Sequence, residues 1–370
     1  MISTSKILEE VSKEKYILFK SFFPESKYNL NLKKFKKFKK FNTIIVIGMG
    51  GSILATKSIY YFLRHKIKKK FVFIDNLDQA FLNKVKKENN LKKSLFLIIS
   101  KSGNTTETLV NASFFSSFFS KKNTIIISEN KKNILRNFSK NKNINFVKHH
   151  SNIGGRYSVF SEVAMLPAYI MGLDPYKFKK SIPNLINKRT ELNKNIKKSL
   201  NIKNKVLIFF NYVPELKHFL FWSQQLLAES LGKNKKGFLP VISNAPKDHH
   251  SLLQLYLDGP KNLSFYVFSS KDKNNLKINS KIFGKEAKFL DKKNYEQVKL
   301  SQKNAFIKIL KEKKIPVREI IIKKFDENTL GKLFFLFICE TLTLGKVLKI
   351  NPFDQPAVER VKALTKKFLA

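Results

Sequence analysis

The chain has 370 residues, of which 43% are hydrophobic, and it carries 72 Lys and Arg against 27 Asp and Glu, a formal net charge of +45 at pH 7. This length and composition predict a globular protein with enough chain for two domains, and no apolar run approaches the ~18 residues of a transmembrane helix. The single cysteine, Cys339, excludes an internal disulfide and a Cys-x-x-Cys site, and the acidic N-terminus lacks an apolar signal-peptide core, so we expect a cytoplasmic protein.

The large positive charge raises the question of a polyanion partner. Only six of the positive residues are arginine, the side chain that proteins use for bidentate contacts to bases. The lysines are spread over the whole chain, and Asn, Ile and Phe, which share AT-rich codons with Lys, are abundant as well. We therefore attribute the charge to coding bias and expect no specific nucleic acid and no membrane as partners. The alternative that this is a basic nucleic-acid-binding protein remains open, but it rests on the charge alone.

Residues 1–42 are predicted to form a helical lead-in. Within them, Lys33–Phe41 places a phenylalanine at every third position among lysines. Interleaved Lys and Phe could bind a nucleic acid or a membrane surface. We favour the simpler interpretation that the three phenylalanines pack inward while the lysines remain solvated.

From residue 43, short apolar runs alternate with helical patterns. Strands are predicted at Thr43–Ile47, Phe71–Ile74, Leu95–Ser100 and Thr124–Ser128, with helices extending to about Arg64, over Asp78–Asn89 and from Thr105. Alternation of this kind predicts βαβ units, and strands without polar alternation predict a doubly wound parallel sheet buried on both faces. We assign residues 43–180 to this first domain.

The third predicted strand leads into a loop of small polar residues, Ser100-Lys101-Ser102-Gly103-Asn104-Thr105. Gly103 permits a sharp turn, and Asn104 followed by Glu107 resembles a capping box at the start of a helix. Free backbone N–H groups and the positive end of a helix dipole then point at whatever the loop holds. Because hydroxyls add hydrogen-bond donors without bulk, we predict that the loop binds a phosphate monoester.

A glycine-rich turn, Gly48-Met49-Gly50-Gly51-Ser52, follows the first strand, and Asp75 follows the second. This arrangement is similar to a dinucleotide-binding fingerprint, but Ile53 stands where that fingerprint requires a third glycine. The chain also lacks the Gly-rich Gly-Lys-Ser/Thr segment of a nucleotide P-loop. Gly51 and Ser52 remain suited to a close backbone approach to a small anion or a sugar.

The rest of the chain predicts a second α/β domain, residues 181–350, reached through a polar helical crossing at Pro175–Asn204. A helix at Val159–Met171 precedes the crossing. The second domain has predicted strands at Val206–Phe210, Ser264–Phe268 and Val317–Ile322 and helices at Pro214–Leu231 and Thr329–Leu348. Residues 351–370 hold a C-terminal helix that begins at Pro356 and is expected to pack back on the active site.

Two charged residues of the middle region are candidates for chemistry. Arg156 follows two glycines, so its backbone can come close to a ligand while the guanidinium meets negative charge; a structural ion pair is the alternative. Gln225 and Glu229 are four residues apart and face the same side of a helix that Gly232 ends. Glu229 is therefore a candidate for moving protons, although helical glutamates are mostly solvated.

Two pairs of adjacent histidines occur. His249-His250 has no Asp, Glu or His at a spacing typical of a metal site, so we expect no metal there. His149-His150 lies shortly before Arg156, and we interpret it as a solvated loop pair.

The hydroxyl loop and the Gly50-Gly51-Ser52 turn together resemble the sugar-isomerase domain, which holds sugar phosphates in such a loop. Further segments narrow the resemblance to the glucose-6-phosphate isomerase family. These are GGRYS at 154–158, QLLAESLGK at 225–233, DHHSLLQL at 248–255 and NPFDQPAVERVK at 351–362. The resemblance spans nearly the whole chain, from about Thr43 to Lys362. It implies an α/β fold with two doubly wound, parallel-sheet sugar-isomerase domains flanked by helices.

The resemblance implies the isomerisation of glucose 6-phosphate to fructose 6-phosphate through a cis-enediol, without a metal or a redox cofactor. In that reaction His250, assisted by Lys362, opens the sugar ring, Glu229 moves a proton between carbons 2 and 1, and Arg156 stabilises the enediol. The phosphate is expected in the hydroxyl loop, closed by Gly51 and Ser52. Gln225 and Gln355 are expected to bind sugar hydroxyls.

The resemblance also implies a homodimer in which the histidine comes from the partner subunit. The chain departs from the family around that histidine, because it lacks the preceding Trp-Gly and Thr-Asn features and has His249 where glutamine is usual. Two other functions remain open: an isomerase that accepts mannose 6-phosphate, and a sugar-phosphate-sensing protein without catalysis.

Overall fold

The computed structural model describes residues 9–10, 13–14, 16–26, 31–187, 205–271 and 276–370. Within these residues the chain forms two parallel β-sheets, which confirms the predicted fold class. The first sheet has the strand order β2-β1-β3-β4-β5, and the second has the order β7-β6-β8-β9. The strands are β1 (Thr43–Gly48), β2 (Lys70–Ile74), β3 (Ser94–Ile99), β4 (Thr124–Glu129), β5 (Asn145–His149), β6 (Val206–Asn211), β7 (Leu239–Asn244), β8 (Leu263–Ser270) and β9 (Val317–Ile322).

Helices connect the strands and cover both sheets. They are α1 (Tyr16–Phe22), α2 (Leu32–Phe35), α3 (Leu54–Phe62), α4 (Gln79–Glu88), α5 (Thr106–Phe114), α6 (Ile134–Asn141), α7 (Glu162–Met171), α8 (Ile182–Asn187), α9 (Lys217–Leu231), α10 (Asp248–Ser251), α11 (Leu253–Asp258), α12 (Tyr295–Glu312), α13 (Glu327–Val347) and α14 (Pro356–Leu369). Short 3-10 turns, among them Gly50–Ser52 and Gly155–Phe160, carry residues of the candidate site.

Side chains alternate across the strands between separate hydrophobic clusters. In β1, Ile44 and Val46 belong to a continuous core that also contains Phe209 of the second sheet. Ile45 and Ile47 point to the outer face of the first sheet, which α4, α5 and α6 cover. Because successive strand residues point to opposite faces, apolar runs without alternation are what a sheet buried on both sides requires. The two sheets share one core, so the two halves pack as one body.

Most element bounds agree with the prediction within a few residues, but several elements were missed. The sequence did not predict α6, β5, β7, α10, α11 or α12. The longest of these, α12, has Glu296 and Lys303 among its buried residues. Because its inward face is interrupted by charged residues, the hydrophobic period of 3.6 residues that predicts a helix is obscured. Of the predicted crossing at Pro175–Asn204, the structure shows a 3-10 turn at Pro175–Phe178 and helix α8, and residues 188–204 lie outside the described residues.

The Lys- and Phe-rich tract packs against the protein, as the simpler interpretation predicts. Phe38 is 1% exposed and stacks on both Phe35 and Phe41. Lys39 lies over the ring of Tyr169, with its Nζ 3.7 Å from the ring centroid. The phenylalanines of this tract therefore anchor the lead-in to α7 and the core.

The C-terminal helix α14 lies on the surface of the single chain, and none of its residues is buried. Its expected packing on the active site stays a prediction. Only Gln355, at its N-terminal end, reaches the candidate site through a hydrogen bond to Arg156.

Among the described residues, no helix combines the length and the apolar character that a membrane span requires.

Candidate active site

Two of the predicted site segments lie at the carboxyl ends of adjacent strands. Gly48, which ends β1, pairs with Ile99, which ends β3, so the glycine turn and the hydroxyl loop start side by side. The chain order reverses between these two strands, since β1 continues to β2 on one side and β3 to β4 on the other. In open α/β sheets such a reversal leaves a crevice in which ligands bind.

Within the hydroxyl loop the side chains hydrogen-bond to one another and to the backbone. The Oγ atoms of Ser100 and Ser102 lie 2.9 Å and 3.4 Å from Thr105 Oγ1. Ser100 Oγ also accepts from the backbone N–H of Gly103, whose φ of +67° marks the left-handed turn predicted for a glycine. The loop is thus a preformed cluster of hydroxyls, joined through Thr105, at the N-terminus of α5.

The capping box predicted for Asn104 and Glu107 is wrong. Helix α5 begins at Thr106 with Thr105 as its N-cap, and no side chain bonds the cap. Asn104 Oδ1 instead accepts from the backbone N–H of Ile134 and fastens the loop to the start of α6. Because no side chain caps the helix, its first N–H groups are left for a ligand to satisfy.

Lys101 is held beside the loop by an acidic partner. Its Nζ lies 3.6 Å from Glu129 Oε1, and Lys131 pairs with the other oxygen of Glu129. Burial lowers the pKa of Lys101, and the Glu129 carboxylate opposes that effect. The loop therefore contains a partly buried cation whose charge is only partly compensated.

Two glycines of the first turn are required by the packing of the site. A Cβ on Gly51 would lie 2.3 Å from the carbonyl carbon of Gly155 and 2.4 Å from the amide nitrogen of Arg156. A Cβ on Gly50, at φ +50°, would lie 2.7 Å from Nε2 of Gln225. The close approach predicted for this turn is therefore made to the protein's own backbone as well as to any ligand.

Arg156 is the centre of the site, and all five of its N–H groups are accepted. Its Nε donates to Ser230 Oγ at 2.8 Å, and its Nη1 donates to Glu229 Oε1 at 2.8 Å and to Gln355 Oε1 at 2.9 Å. Its Nη2 donates to the carbonyls of Pro352 at 2.8 Å and Asp354 at 3.1 Å. The side chain is 3% exposed, so one guanidinium joins the first domain, α9 and the C-terminal segment.

Glu229 has both carboxylate oxygens bound. Oε1 pairs with Arg156, and Oε2 accepts from Nε2 of Gln225 at 2.9 Å, as expected for residues four apart on one helix face. The side chain remains 26% exposed. Glu229 is thus fixed in position, with one side open to a substrate.

Three residues that support Arg156 were missed by the sequence analysis. Trp222 Nε1 donates to the Arg156 carbonyl at 3.1 Å, and Tyr157 Oη lies 2.9 Å from Ser230 Oγ while donating to the Pro352 carbonyl. The signals that could have found them are weak: Ser230 and Tyr157 adjoin predicted site residues, and Trp222 is the chain's one tryptophan.

Lys362 and His250 are not brought to this cluster by the single chain. Lys362 pairs with Glu359 of its own helix at 2.7 Å, and both side chains are more than half exposed. His250 lies exposed on α10. Its neighbour His249 turns inward, where its Nε2 lies 2.6 Å from the Tyr212 hydroxyl and its ring packs on Phe210. The anchored His249 fixes α10 so that His250 faces outward.

The expectation of a solvated His149-His150 pair is wrong for its first member. His149 ends β5, is 1% exposed, and its Nε2 lies 3.1 Å from the Ile153 carbonyl. Desolvation lowers the pKa of His149 to about 4. His150 is half-buried, and its Nδ1 accepts from the backbone N–H of Asn152. The described residues contain no group of three or more His, Cys, Asp or Glu that could hold a metal.

Comparison with known proteins gives a consistent result. A family model described as Phosphoglucose isomerase matches residues 31–370. A glucose-6-phosphate isomerase of Methanocaldococcus jannaschii is 32% identical over 92% of this chain and 88% of its own length. Among solved structures, a hypothetical protein of Thermus thermophilus has a TM-score of 0.85 and 23% identity, covering 99% of this chain and 96% of that one. A glucose-6-phosphate isomerase of Chlamydia trachomatis has a TM-score of 0.77 and 18% identity, covering 90% and 71%.

Proposed function

The chain belongs to the phosphoglucose isomerase family, and we propose on that premise that its site interconverts glucose 6-phosphate and fructose 6-phosphate. The observation that carries the proposal is the placement of Glu229. Its carboxylate is fixed between Arg156 and Gln225, and Gln225 itself contacts the turn at Gly50 that adjoins the hydroxyl loop. A phosphate in the loop would therefore hold a hexose with its reacting carbons near Glu229.

The phosphate would be bound by the hydroxyl loop and the uncapped N-terminus of α5. Ser100, Ser102 and Thr105 would exchange their mutual hydrogen bonds for bonds to phosphate oxygens. The backbone of Gly103 and Asn104 and the charge of Lys101 would add to the attraction. Gly51 and Ser52 would close the other side.

Ring opening needs a proton on the ring oxygen and the loss of one from the neighbouring hydroxyl. We assign this exchange to His250, because an imidazole can donate and accept a proton near neutral pH, with Lys362 assisting. Gln225 and Gln355 would orient the opened sugar through its hydroxyls.

Proton transfer between carbons 2 and 1 would then run through Glu229 alone. Its carboxylate takes the proton from carbon 2, and the electron pair of that C–H bond forms the carbon–carbon double bond of the cis-enediol. As that double bond forms, the electron pair of the carbonyl bond moves to oxygen 1. The same carboxyl then returns the proton to carbon 1 while the hydroxyl proton of oxygen 2 passes to oxygen 1, which yields the ketose. As Glu229 becomes neutral, negative charge develops on the enediol oxygen, and the fixed charge of Arg156 beside it stabilises that oxygen.

The exposed position of His250 supports a site completed by a second copy of the chain. Helix α14 supports the same assembly. At about 3.6 residues per turn, Glu359, Lys362 and Lys366 share one face of α14, while the opposite face bears three exposed apolar residues. These are Val361, Leu364 and Phe368, at 64%, 42% and 81% exposure. A homodimer would cover this apolar face and supply His250 to the neighbouring site.

The activity would place the protein in glycolysis and gluconeogenesis in the cytoplasm. The test is a coupled assay that follows glucose 6-phosphate and mannose 6-phosphate in parallel. Turnover of glucose 6-phosphate supports the proposal. Turnover of mannose 6-phosphate alone would identify mannose 6-phosphate as the substrate instead. Binding of either sugar phosphate without turnover would indicate a sensor. Glu229→Gln should keep sugar-phosphate binding and lose more than about a hundredfold in kcat. Glu215→Gln, on an exposed turn before α9, is the matched control.

A further inference from the structure

His149 is a buried titratable residue to which the proposed reaction gives no role. It ends β5, and the chain turns back shortly afterwards at Ile153. Its Nε2 lies 3.1 Å from the Ile153 carbonyl, and this bond is fully buried. A carbonyl only accepts, so the ring must carry its proton on Nε2. The Nδ1 atom has no hydrogen-bond partner among the described residues.

The bond from His149 to Ile153 spans the loop between β5 and Arg156. Ile153 is followed directly by Gly154 and Gly155, which impose little conformational preference of their own. On its far side the loop meets Gly51, whose Cα would lie 3.9 Å from a Cβ on Gly155. The bond from His149 holds the residue before the glycines, and the contact with the first turn holds Gly155, directly before Arg156. The carbonyls of Gly154 and Gly155 accept from Tyr157 and Ser158, which lie within the same short turn.

We propose that His149 is a positioning residue for Arg156, whose buried Nε2–H holds the Ile153 carbonyl and so fixes the approach of the guanidinium to Glu229. This inference rests on the proposed function, because it assigns His149 to the orientation of a side chain that stabilises the enediol. It requires no contact between His149 and the substrate.

The surroundings of His149 explain how a histidine can perform this role. The charged groups facing the ring are Lys101 of the hydroxyl loop, Glu129 at the end of the neighbouring strand, and His150. Burial lowers the pKa of His149 to about 4. The bond to the Ile153 carbonyl and the Glu129 carboxylate oppose this effect, while Lys101 and His150 add to it. The ring is therefore neutral at physiological pH, and its single proton stays on Nε2, where the carbonyl accepts it.

Two polar variants separate a positional role from simple packing. His149→Gln places an amide N–H near the position of Nε2, whereas His149→Asn carries an amide of the same chemistry one bond short of it. His149→Leu removes the donor and keeps most of the volume. Each is assayed for kcat and KM with glucose 6-phosphate. Each is also assayed for the affinity of two inhibitors, a five-carbon aldonate 5-phosphate, whose carboxylate imitates the enediolate, and glucitol 6-phosphate, which has no charge at that end.

We expect His149→Asn and His149→Leu to lose about tenfold or more in kcat, because small displacements of a catalytic group are costly. The affinity for the aldonate phosphate should fall about as much, while the affinity for glucitol 6-phosphate and the KM should change by less than about twofold. His149→Gln should recover most of both losses. His150→Leu, a substitution at the adjacent half-buried histidine, should leave all four quantities near the wild-type values.

The inference is overturned if His149→Asn and His149→Gln lose activity equally, or if the affinities for both inhibitors fall by the same factor. Either result indicates that His149 acts through packing alone. It is also overturned if all three variants retain wild-type kcat. The Asn–Gln contrast decides the matter even if His149→Leu does not fold. Failure of the proposed function would look different, because the wild-type protein itself would then turn over neither hexose phosphate.

Discussion

Arg156 shows how much of the site depends on a single residue. Its five N–H groups reach acceptors on Glu229, Ser230, Gln355 and two carbonyls, so each of its donors has a partner within the protein. The structural ion pair, which the sequence analysis kept as the alternative to a functional role, is present in the structure. The two interpretations are compatible, since an arginine that fixes the proposed base Glu229 would also keep its positive charge next to the reacting atoms.

Arg156→Lys should therefore fail on two counts. An ammonium cannot reach acceptors in five directions, so several buried oxygens would lose their donors. We expect a loss of about 2–4 kcal/mol in the free energy of unfolding, and a fall of at least about a hundredfold in kcat. Urea denaturation and steady-state kinetics measure the two effects. Arg64→Lys, at an exposed position, serves as the control, and an active, stable Arg156→Lys enzyme would contradict the assignment.

Histidine burial predicts how stability varies with pH. His149 has its pKa lowered from 6.5 to about 4, because burial disfavours its charged form. The unfolded chain takes up this proton near pH 6.5 and the folded protein does so only near pH 4, so stability falls as the pH drops through that window. The difference corresponds to at most about 3 kcal/mol. Denaturation at several pH values should show a smaller loss for His149→Gln than for the wild type, and equal slopes would contradict this account.

Among the elements, two loops that meet through glycine determine the shape of the site. Gly50–Ser52 follows β1 and Gly155–Phe160 follows β5, at opposite sides of the first sheet's crevice, and they touch where Gly51 faces Gly155. The contact brings the phosphate side of the site and the Arg156 loop to a fixed separation. Neither loop could be paired with the other from sequence patterns, since more than a hundred residues separate them.

This contact is asymmetric, which provides a matched pair of substitutions. A Cβ on Gly51 would lie 2.3 Å from the Gly155 backbone, whereas a Cβ on Gly155 would lie no closer than 3.9 Å to Gly51. Gly51→Ala should cost about 2 kcal/mol or more in stability, because backbone must move. Gly155→Ala should fold with nearly wild-type stability. Thermal unfolding of both proteins checks the prediction, and equal melting temperatures would show that the loops adjust freely.

Considered as a whole molecule, the single chain does not bring all of the proposed site residues together. His250 is exposed, and α14 presents a polar face that begins at Gln355 and an apolar face that no described residue of the chain buries. The net charge of +45 opposes close association of two copies, so in the proposed homodimer the apolar contact would have to outweigh that repulsion at physiological ionic strength.

Mixed dimers test whether His250 acts across the interface. A protomer with Glu229→Gln keeps His250, and a protomer with His250→Ala keeps Glu229, so each mixed dimer has one complete site. Co-refolding equal amounts of the two inactive variants should restore about one quarter of wild-type activity, because half of the dimers are mixed and half of their sites are intact. Sedimentation should show dimers throughout. No recovery, or an active monomer, would place the histidine within its own subunit.

The class of the fold and the kinds of residue in the candidate site could be predicted from the sequence. Apolar strands alternating with helices predict parallel sheets. Strand β3 is buried along its whole length, and such a strand needs an unbroken apolar run, which the sequence shows directly. The resemblance of its motifs to the glucose-6-phosphate isomerase family selected Arg156 and Glu229, which the structure joins at 2.8 Å.

How these residues are held follows from tertiary contacts alone. The Gly51–Gly155 contact, the five acceptors of Arg156 and the burial of His149 all depend on groups far apart in the chain. Burial and hydrogen bonding are set by such neighbours, and a local pattern does not contain them. For that reason Asn104 could be mistaken for a helix cap, although β3 before it was predicted within a residue, and His149 could be mistaken for a solvated residue, since β5, which it ends, was not predicted at all.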